Sequence, residues 1–121
     1  MANSDNPEMD AMDPELLQFL QQKVNSFVKW DLVRFFQNNP HTTDTAENIA
    51  RYAGRDARTI EAELNDLAQS GVLERQRVGE LTVYTLTRDA KTRQLMAQFV
   101  KACDNREFRV KAIYHVIRGM K

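Results

Sequence analysis

Between Asp13 and Gln37, apolar residues recur at helical spacing in two sets. Leu17, Leu20, Val24 and Phe27 form one stripe, and Val28, Leu32, Phe35 and Phe36 form a second, rotated from the first. Asp13-Pro14-Glu15 opens the stretch as a helix start, with Asp as N-cap and Pro at the first helical position. Asn38-Asn39-Pro40 closes it. The pattern predicts an N-terminal helix over 13–37. Further along, Asp44 followed three residues later by Glu47 resembles a capping box, so a short helix is expected from Thr45 to about Ala53, with Ile49, Ala50 and Ala53 inward. Gly54 supplies the turn. Asp56 caps a second helix from Ala57 to about Ser70, whose buried stripe is Ile60, Leu64 and Leu67, and Gly71 ends it. Val72–Arg77 and Leu81–Leu86, joined by Val78-Gly79-Glu80, read as a β-hairpin.

From Arg88 to Met120 there is no Pro, and no Gly before Gly119. Met96, Phe99, Cys103, Arg106, Val110, Ile113, Ile117 and Met120 alternate at three and four, which predicts a long helix with a coiled-coil-like seam. Asp104-Asn105 are weak helix formers within it, so a kink or two shorter helices is the alternative. The seam is expected to pair between two chains, with burial against the N-terminal helix of the same chain as the competing outcome.

The order helix, turn, helix, hairpin over 44–87 resembles the winged helix-turn-helix domains of bacterial transcriptional regulators. The resemblance is carried by Ala53-Gly54, by Ile60, Leu64 and Leu67, by Ser70-Gly71-Val72-Leu73, and by the return strand Val83-Tyr84-Thr85-Leu86-Thr87. It implies a mainly α fold with a small β-hairpin, a winged core flanked by N- and C-terminal helices. The terminal helices are laid out as in the small dimeric regulators of the ArsR and MarR kinds, and the length is nearer the ArsR size. The domain plan is then an acidic, disordered or loosely held tail over 1–12 and a single winged-helix domain over 13–121, with residues 88–120 forming the dimerisation helix or helices.

The function implied is DNA binding by a homodimer, with the Ala57–Ser70 helix in the major groove and the hairpin on the backbone or minor groove of double-stranded DNA. Opposite the buried stripe of that helix stand Arg58, Ala62, Asn65 and Gln69. Arginine can pair with guanine, Asn or Gln with adenine, and alanine can touch a thymine methyl. An ordinary solvated helix face explains the same residues equally well. Thr59 joins this group at the start of the helix. Arg75 and Arg77 sit two apart on the first hairpin strand and so point to one side, placed for phosphates, unless Glu74 or Glu80 pairs with them. Arg55 and Arg88 add candidate backbone contacts. The expected dimer interface comprises Leu17, Leu20, Met96, Phe99, Cys103, Val110, Ile113 and Ile117.

Charge tempers the DNA reading. The 121-residue chain carries 17 basic and 17 acidic residues, which is not the footprint of a strong nonspecific DNA binder. The distribution is uneven: residues 1–15 hold five carboxylates and no base, and residues 91–121 hold eight bases and two acids. Residues 45–75, with six acids and four bases, are slightly acidic. DNA affinity must therefore come from a few well-placed arginines, doubled in a dimer. The rival reading is a winged-helix protein-interaction module without DNA binding, which the neutral charge and the flanking Glu61, Glu63 and Asp66 favour.

Catalytic chemistry finds no foothold. The sequence has no glycine-rich phosphate loop and no Gly-x-Ser-x-Gly nucleophile, and its paired carboxylates Glu61 and Glu63 do not face each other on a helix. One cysteine and two distant histidines, His41 and His115, lack metal-ligand spacing, so no metal and no cofactor are expected. Cys103 falls on the apolar seam and reads as a structural thiol rather than a redox sensor. The single cysteine and the lack of a signal peptide or membrane-spanning run place the protein in the cytoplasm, away from membranes. The aromatic residues read as packing. The resemblance also leaves room for a small-molecule effector where the terminal helices meet the winged core, with Trp30 as the residue to watch.

Overall fold

The structure, a computed structural model, describes residues 12–120. The expected tail over 1–12 lies outside that range except for Met12, which packs partly against the core. The fold is mainly helical with a small antiparallel sheet, in the order α1 (Pro14–Lys23), α2 (Phe27–Asn38), β1 (Thr43–Asp44), α3 (Ala46–Ala53), α4 (Ala57–Gln69), β2 (Leu73–Val78), β3 (Leu81–Leu86), α5 (Ala90–Ala102) and α6 (Arg106–Gly119).

The single N-terminal helix expected over 13–37 is in fact two. Asp13 caps α1 by accepting from the amides of Glu15 and Leu16. Val24 leaves helical geometry, and Ser26, extended, accepts from the Lys29 amide to start a new helix. Serine and asparagine offer the backbone local hydrogen bonds that compete with the helix, and Ser26 does so here. The break accounts for the rotation between the two apolar stripes: each belongs to its own helix.

Local chemistry sets the helix-turn-helix. The N-cap of α3 is Thr45, one residue later than the capping-box pattern predicts, because Asp44 spends Oδ1 on the Asn48 side chain and the Thr45 amide. Gly54 takes the left-handed conformation (φ 67°) that closes α3, and its amide donates to Ala50 and Arg51 carbonyls. A side chain there would incur left-handed strain. Asp56 then caps α4 through the Arg58 and Thr59 amides. Ile60, Leu64 and Leu67 are fully buried, as the stripe predicts.

The hairpin pairs Leu73 with Leu86, Arg75 with Tyr84 and Arg77 with Thr82 around a Gly79-Glu80 turn. A third strand, unpredicted, joins it: β1 pairs with β3 through Thr43↔Thr85 and Asp44↔Tyr84, giving the sheet order β1-β3-β2. Two residues of strand carry too little pattern to be seen in sequence.

The C-terminal region takes the broken alternative. Between α5 and α6, Asn105 caps the new helix by accepting from the Phe108 amide, and the Arg109 guanidinium donates to the Cys103 carbonyl at 2.7 Å. The continuous seam is thereby divided. Met96, Phe99 and Cys103 are buried with Leu20 in one core, whereas Val110, Ile113 and Ile117 on α6 and Met120 at its C-cap stay exposed. α5 packs on α1 and α2, and α6 packs on α1 through buried Ala112, His115 and Val116. Where these helices meet the winged core, Trp30 stands edge-on to Phe99 (5.0 Å), which also meets Phe19 and Phe108. That junction is packed with rings. No helix among the described residues is long and apolar enough to cross a membrane.

Candidate nucleic-acid interface

α4 and the hairpin form the two walls of one cleft. Residues directly opposite in an antiparallel pair share a face. Leu73, Arg75 and Arg77 therefore lie on the same hairpin face as Leu86, Tyr84 and Thr82. Tyr84 fixes which way that face looks: its hydroxyl donates to Asn65 Oδ1 on α4 at 2.7 Å. The face carrying Arg75 and Arg77 is thus the one turned toward the outward stripe of α4. The cleft, about 380 Å³, is lined by Thr45, Ala46 and Glu47 at the start of α3, by Ala57, Arg58 and Glu61 of α4, and by Glu80, Leu81, Thr82 and Tyr84. Burial raises the phenol pKa of Tyr84; the nearby Arg75 guanidinium opposes that rise and Glu61 adds to it. These couplings put Arg75 and Glu61 close to the same ring.

The candidate DNA-contacting residues divide by how free they are. Arg58, Ala62, Gln69, Arg75 and Arg77 are exposed. None of Arg58, Arg75 and Arg77 is in an ion pair among the described residues. Glu74 does not hold Arg75 or Arg77; it accepts from the Arg88 amide at 3.0 Å and pairs with the Arg88 guanidinium at 3.5 Å. Arg55 is bound to Asp31 of α2, so it bolts the turn between α3 and α4 onto the N-terminal helices. Thr59 is part of the Asp56 cap: its amide lies at 3.2 Å and its hydroxyl at 3.5 Å.

Asn65 is the residue whose setting differs most from the sequence reading. It is half-buried rather than on a free crest, and its carbonyl oxygen already accepts from Tyr84. A bidentate grip on adenine needs that oxygen and the amide NH2 together. While the Tyr84 bond holds, one of the two lone pairs of the Asn65 oxygen is taken and the side chain is tied to β3, so Asn65 fixes the angle of the hairpin.

One residue that the sequence did not single out shapes the electrostatics of α4. Lys29, on α2 and buried, reaches Glu63 at 3.5 Å and Asp66 at 3.4 Å, and donates to Asn25 at 2.8 Å. It offsets the two carboxylates on one flank of α4. On the other flank Glu61 faces the cleft with Glu47 and Glu80. The helical repeat of α4 places the acids on its flanks, but only the packing of α2 supplies Lys29.

Among the described residues, no three His, Cys, Asp or Glu side chains come together in a way that could hold a metal ion. Cys103 is buried, and desolvation pushes its thiol pKa up, with Arg34 and Arg109 partly opposing. A thiol so held is a poor nucleophile at neutral pH. No protein-family model matches the chain, and no curated protein matches it.

Proposed function

We propose that this protein is a winged helix-turn-helix transcriptional regulator that binds double-stranded DNA as a homodimer, α4 entering the major groove and the β2–β3 wing lying on the adjacent backbone or minor groove. The observation that carries the reading is the freedom and convergence of three arginines. Arg58 lines the cleft beside α4, and Arg75 and Arg77 share the hairpin face of the cleft residues Tyr84 and Thr82. All three are exposed and outside any ion pair among the described residues, while Lys29, Arg55, Arg88 and Lys91 are engaged in ion pairs. Exposed cations outside ion pairs on two adjoining elements fit a curved polyanion, one reading base edges and two holding phosphates. Lys29 supports the same reading, because it offsets the charge of Glu63 and Asp66, which would otherwise repel phosphate.

The proposed division of labour follows from the geometry. Arg58, in the first turn of α4, is the guanine-reading candidate, with Ala62 and Gln69 further along the same stripe. Arg75 and Arg77 act as phosphate clamps. Asn65 and Tyr84 hold the wing at its angle to the reading helix. Two copies would read a pseudo-palindromic site, with cytoplasmic residence following from that role.

A second reading rests on Glu47, Glu61 and Glu80, which rim the same cleft and would suit a basic segment of a partner protein instead of DNA. Selection from a randomised duplex library separates the two. Enrichment of an inverted repeat supports the regulator; a library that stays unenriched through repeated rounds favours the protein-interaction module.

A further inference from the structure

α6 presents an apolar face that no other part of the described residues covers. Its inward side, Ala112, His115 and Val116, packs on α1. A second stripe, at a spacing of three, four and three, is exposed: Val110 at 44%, Ile113 at 39%, Ile117 at 55% and Met120 at 49%. Single exposed apolar residues are ordinary, but three on one line of one helix, followed by exposed Met120 at its C-cap, form a patch of the kind that marks an interaction surface.

The charges beside the stripe identify its occupant. With about 100° of turn per residue, Glu107 and Arg118 fall on the same flank of the stripe, separated by three helical turns. When two such helices run antiparallel about Ile113, residue 107 of one lies level with residue 119 of the other. Glu107 then lies about 1.5 Å along the axis from the level of Arg118 in the second copy, and the second Glu107 meets the first Arg118 in the same way. Among the described residues neither side chain is in an ion pair; Arg118 donates to the Tyr114 hydroxyl and lies over its ring. Arg106, at the N-terminal end of the stripe, arrives at the C-terminal end of the opposite α6, whose last carbonyls carry the negative end of the helix dipole. In a parallel pair, by contrast, Glu107 of one copy and Arg118 of the other would lie three helical turns apart on opposite flanks, so these pairs would be lost, and Arg106, on the line of the stripe itself, would meet Arg106.

We propose that the Val110/Ile113/Ile117 face of α6, with Met120 at its C-cap, is the docking surface for a second copy of this chain, in antiparallel register about Ile113. This deepens the proposed two-headed DNA reading and rests on it for its purpose, but the pairing itself is measured without DNA. It replaces the longer seam expected from sequence: Met96, Phe99 and Cys103 stay in the core of each copy, and the α6 half alone meets its mate. One helix face, about 21 Å long, falls short of the roughly 800 Å² per partner of a standard interface. Dissociation at about micromolar concentration is therefore expected.

The test is light scattering on the full chain at about 100 μM, far above that dissociation constant, with directed cross-linking. A dimer is expected, and Ile117→Asp should return it to monomer while circular dichroism stays unchanged. Mixing a Val110→Cys chain with an Ile117→Cys chain should give the mixed disulfide under mild oxidation, whereas Val110→Cys alone should not cross-link to itself. Glu107→Arg and Arg118→Glu should each weaken the dimer at least several-fold, and the two together in one chain should restore it. A monomer at this concentration, a dimer that Ile117→Asp leaves intact, or self-cross-linking of Val110→Cys overturns the proposal. None of these outcomes bears on DNA binding by a single head, so failure here and failure of the DNA reading are distinguishable.

Discussion

Tyr84 on β3 donates its hydroxyl proton to Asn65 on α4 across 2.7 Å, and this bond joins the wing to the helix beside it. The two residues lie 19 positions apart, and their contact turns two independent elements into one surface. It also sets the direction of Arg75, which sits opposite Tyr84 in the hairpin.

Tyr84→Phe keeps the ring in the core and removes only the bond. Loss of one part-buried hydrogen bond should cost about 1 kcal/mol of stability, read as a lower urea midpoint with an unchanged m-value. A midpoint equal to that of the parent protein would mean the bond does not hold the wing. Asn65→Ala should weaken DNA binding evenly across sequences, because Asn65 positions the wing. A loss confined to one base position would return it to the reading face.

Arg58→Ala, in contrast, should relax discrimination at one base position by about 1–3 kcal/mol. Arg75→Ala and Arg77→Ala should lower affinity for all sequences alike, each reducing the salt slope by about one unit. Competition titrations at several salt concentrations distinguish the two patterns, and unchanged binding in all three variants would contradict the proposed docking.

Lys29→Met leaves Glu63 and Asp66 without their shared cation. Lys29 is buried while Asp66 is 60% exposed, so the site lies between a surface pair and a buried one. A loss of about 1–3 kcal/mol is expected, measured by denaturant unfolding. Affinity for DNA should fall as well, since α4 would present more negative charge. A variant with full stability and full affinity would show that Lys29 is incidental.

Alkaline pH should destabilise the fold. Burial raises the pKa of Cys103 above its ordinary 9.0 and that of Tyr84 above its ordinary 10.0. The native chain therefore keeps protons that the unfolded chain gives up. The stability these groups contribute is complete below the ordinary thiol value and is lost as pH rises through the folded values. Unfolding midpoints measured from neutral pH upward should fall beyond pH 9.0, the ordinary thiol value. Cys103→Ala should lack the earlier part of that fall. A flat profile in the parent protein contradicts this assignment.

The parts of the fold that were legible in sequence are those specified locally. Asp56, Gly54 and Gly71 mark helix ends through their own backbone chemistry, and Ile60, Leu64 and Leu67 repeat at a period that only a helix can bury on one side. The breaks at Asn25-Ser26 and Cys103–Asn105 were harder. Asparagine, serine and aspartate only mildly disfavour a helix, and apolar spacing runs on across both gaps. Rotation of the first stripe against the second was the available signal for the earlier break. What the sequence could not convey is long-range: β1 closing on β3, Tyr84 reaching Asn65, Lys29 meeting α4 and Asp31 holding Arg55. Each depends on the packing of elements distant along the chain. So does the division of the C-terminal apolar line, since a spacing rule does not reveal which half faces the core of its own chain.

The proposed phosphate-contacting surface is the one formed by α4 and the wing, with Arg58, Arg75 and Arg77 exposed on it. The most direct measurement is fluorescence anisotropy of a labelled random-sequence duplex titrated with the protein at low and at near-physiological salt. Binding at low salt that weakens steeply as salt rises, and weakens less steeply in an Arg75→Ala/Arg77→Ala double variant, is the predicted result. No binding at low salt, or binding indifferent to salt, would contradict it.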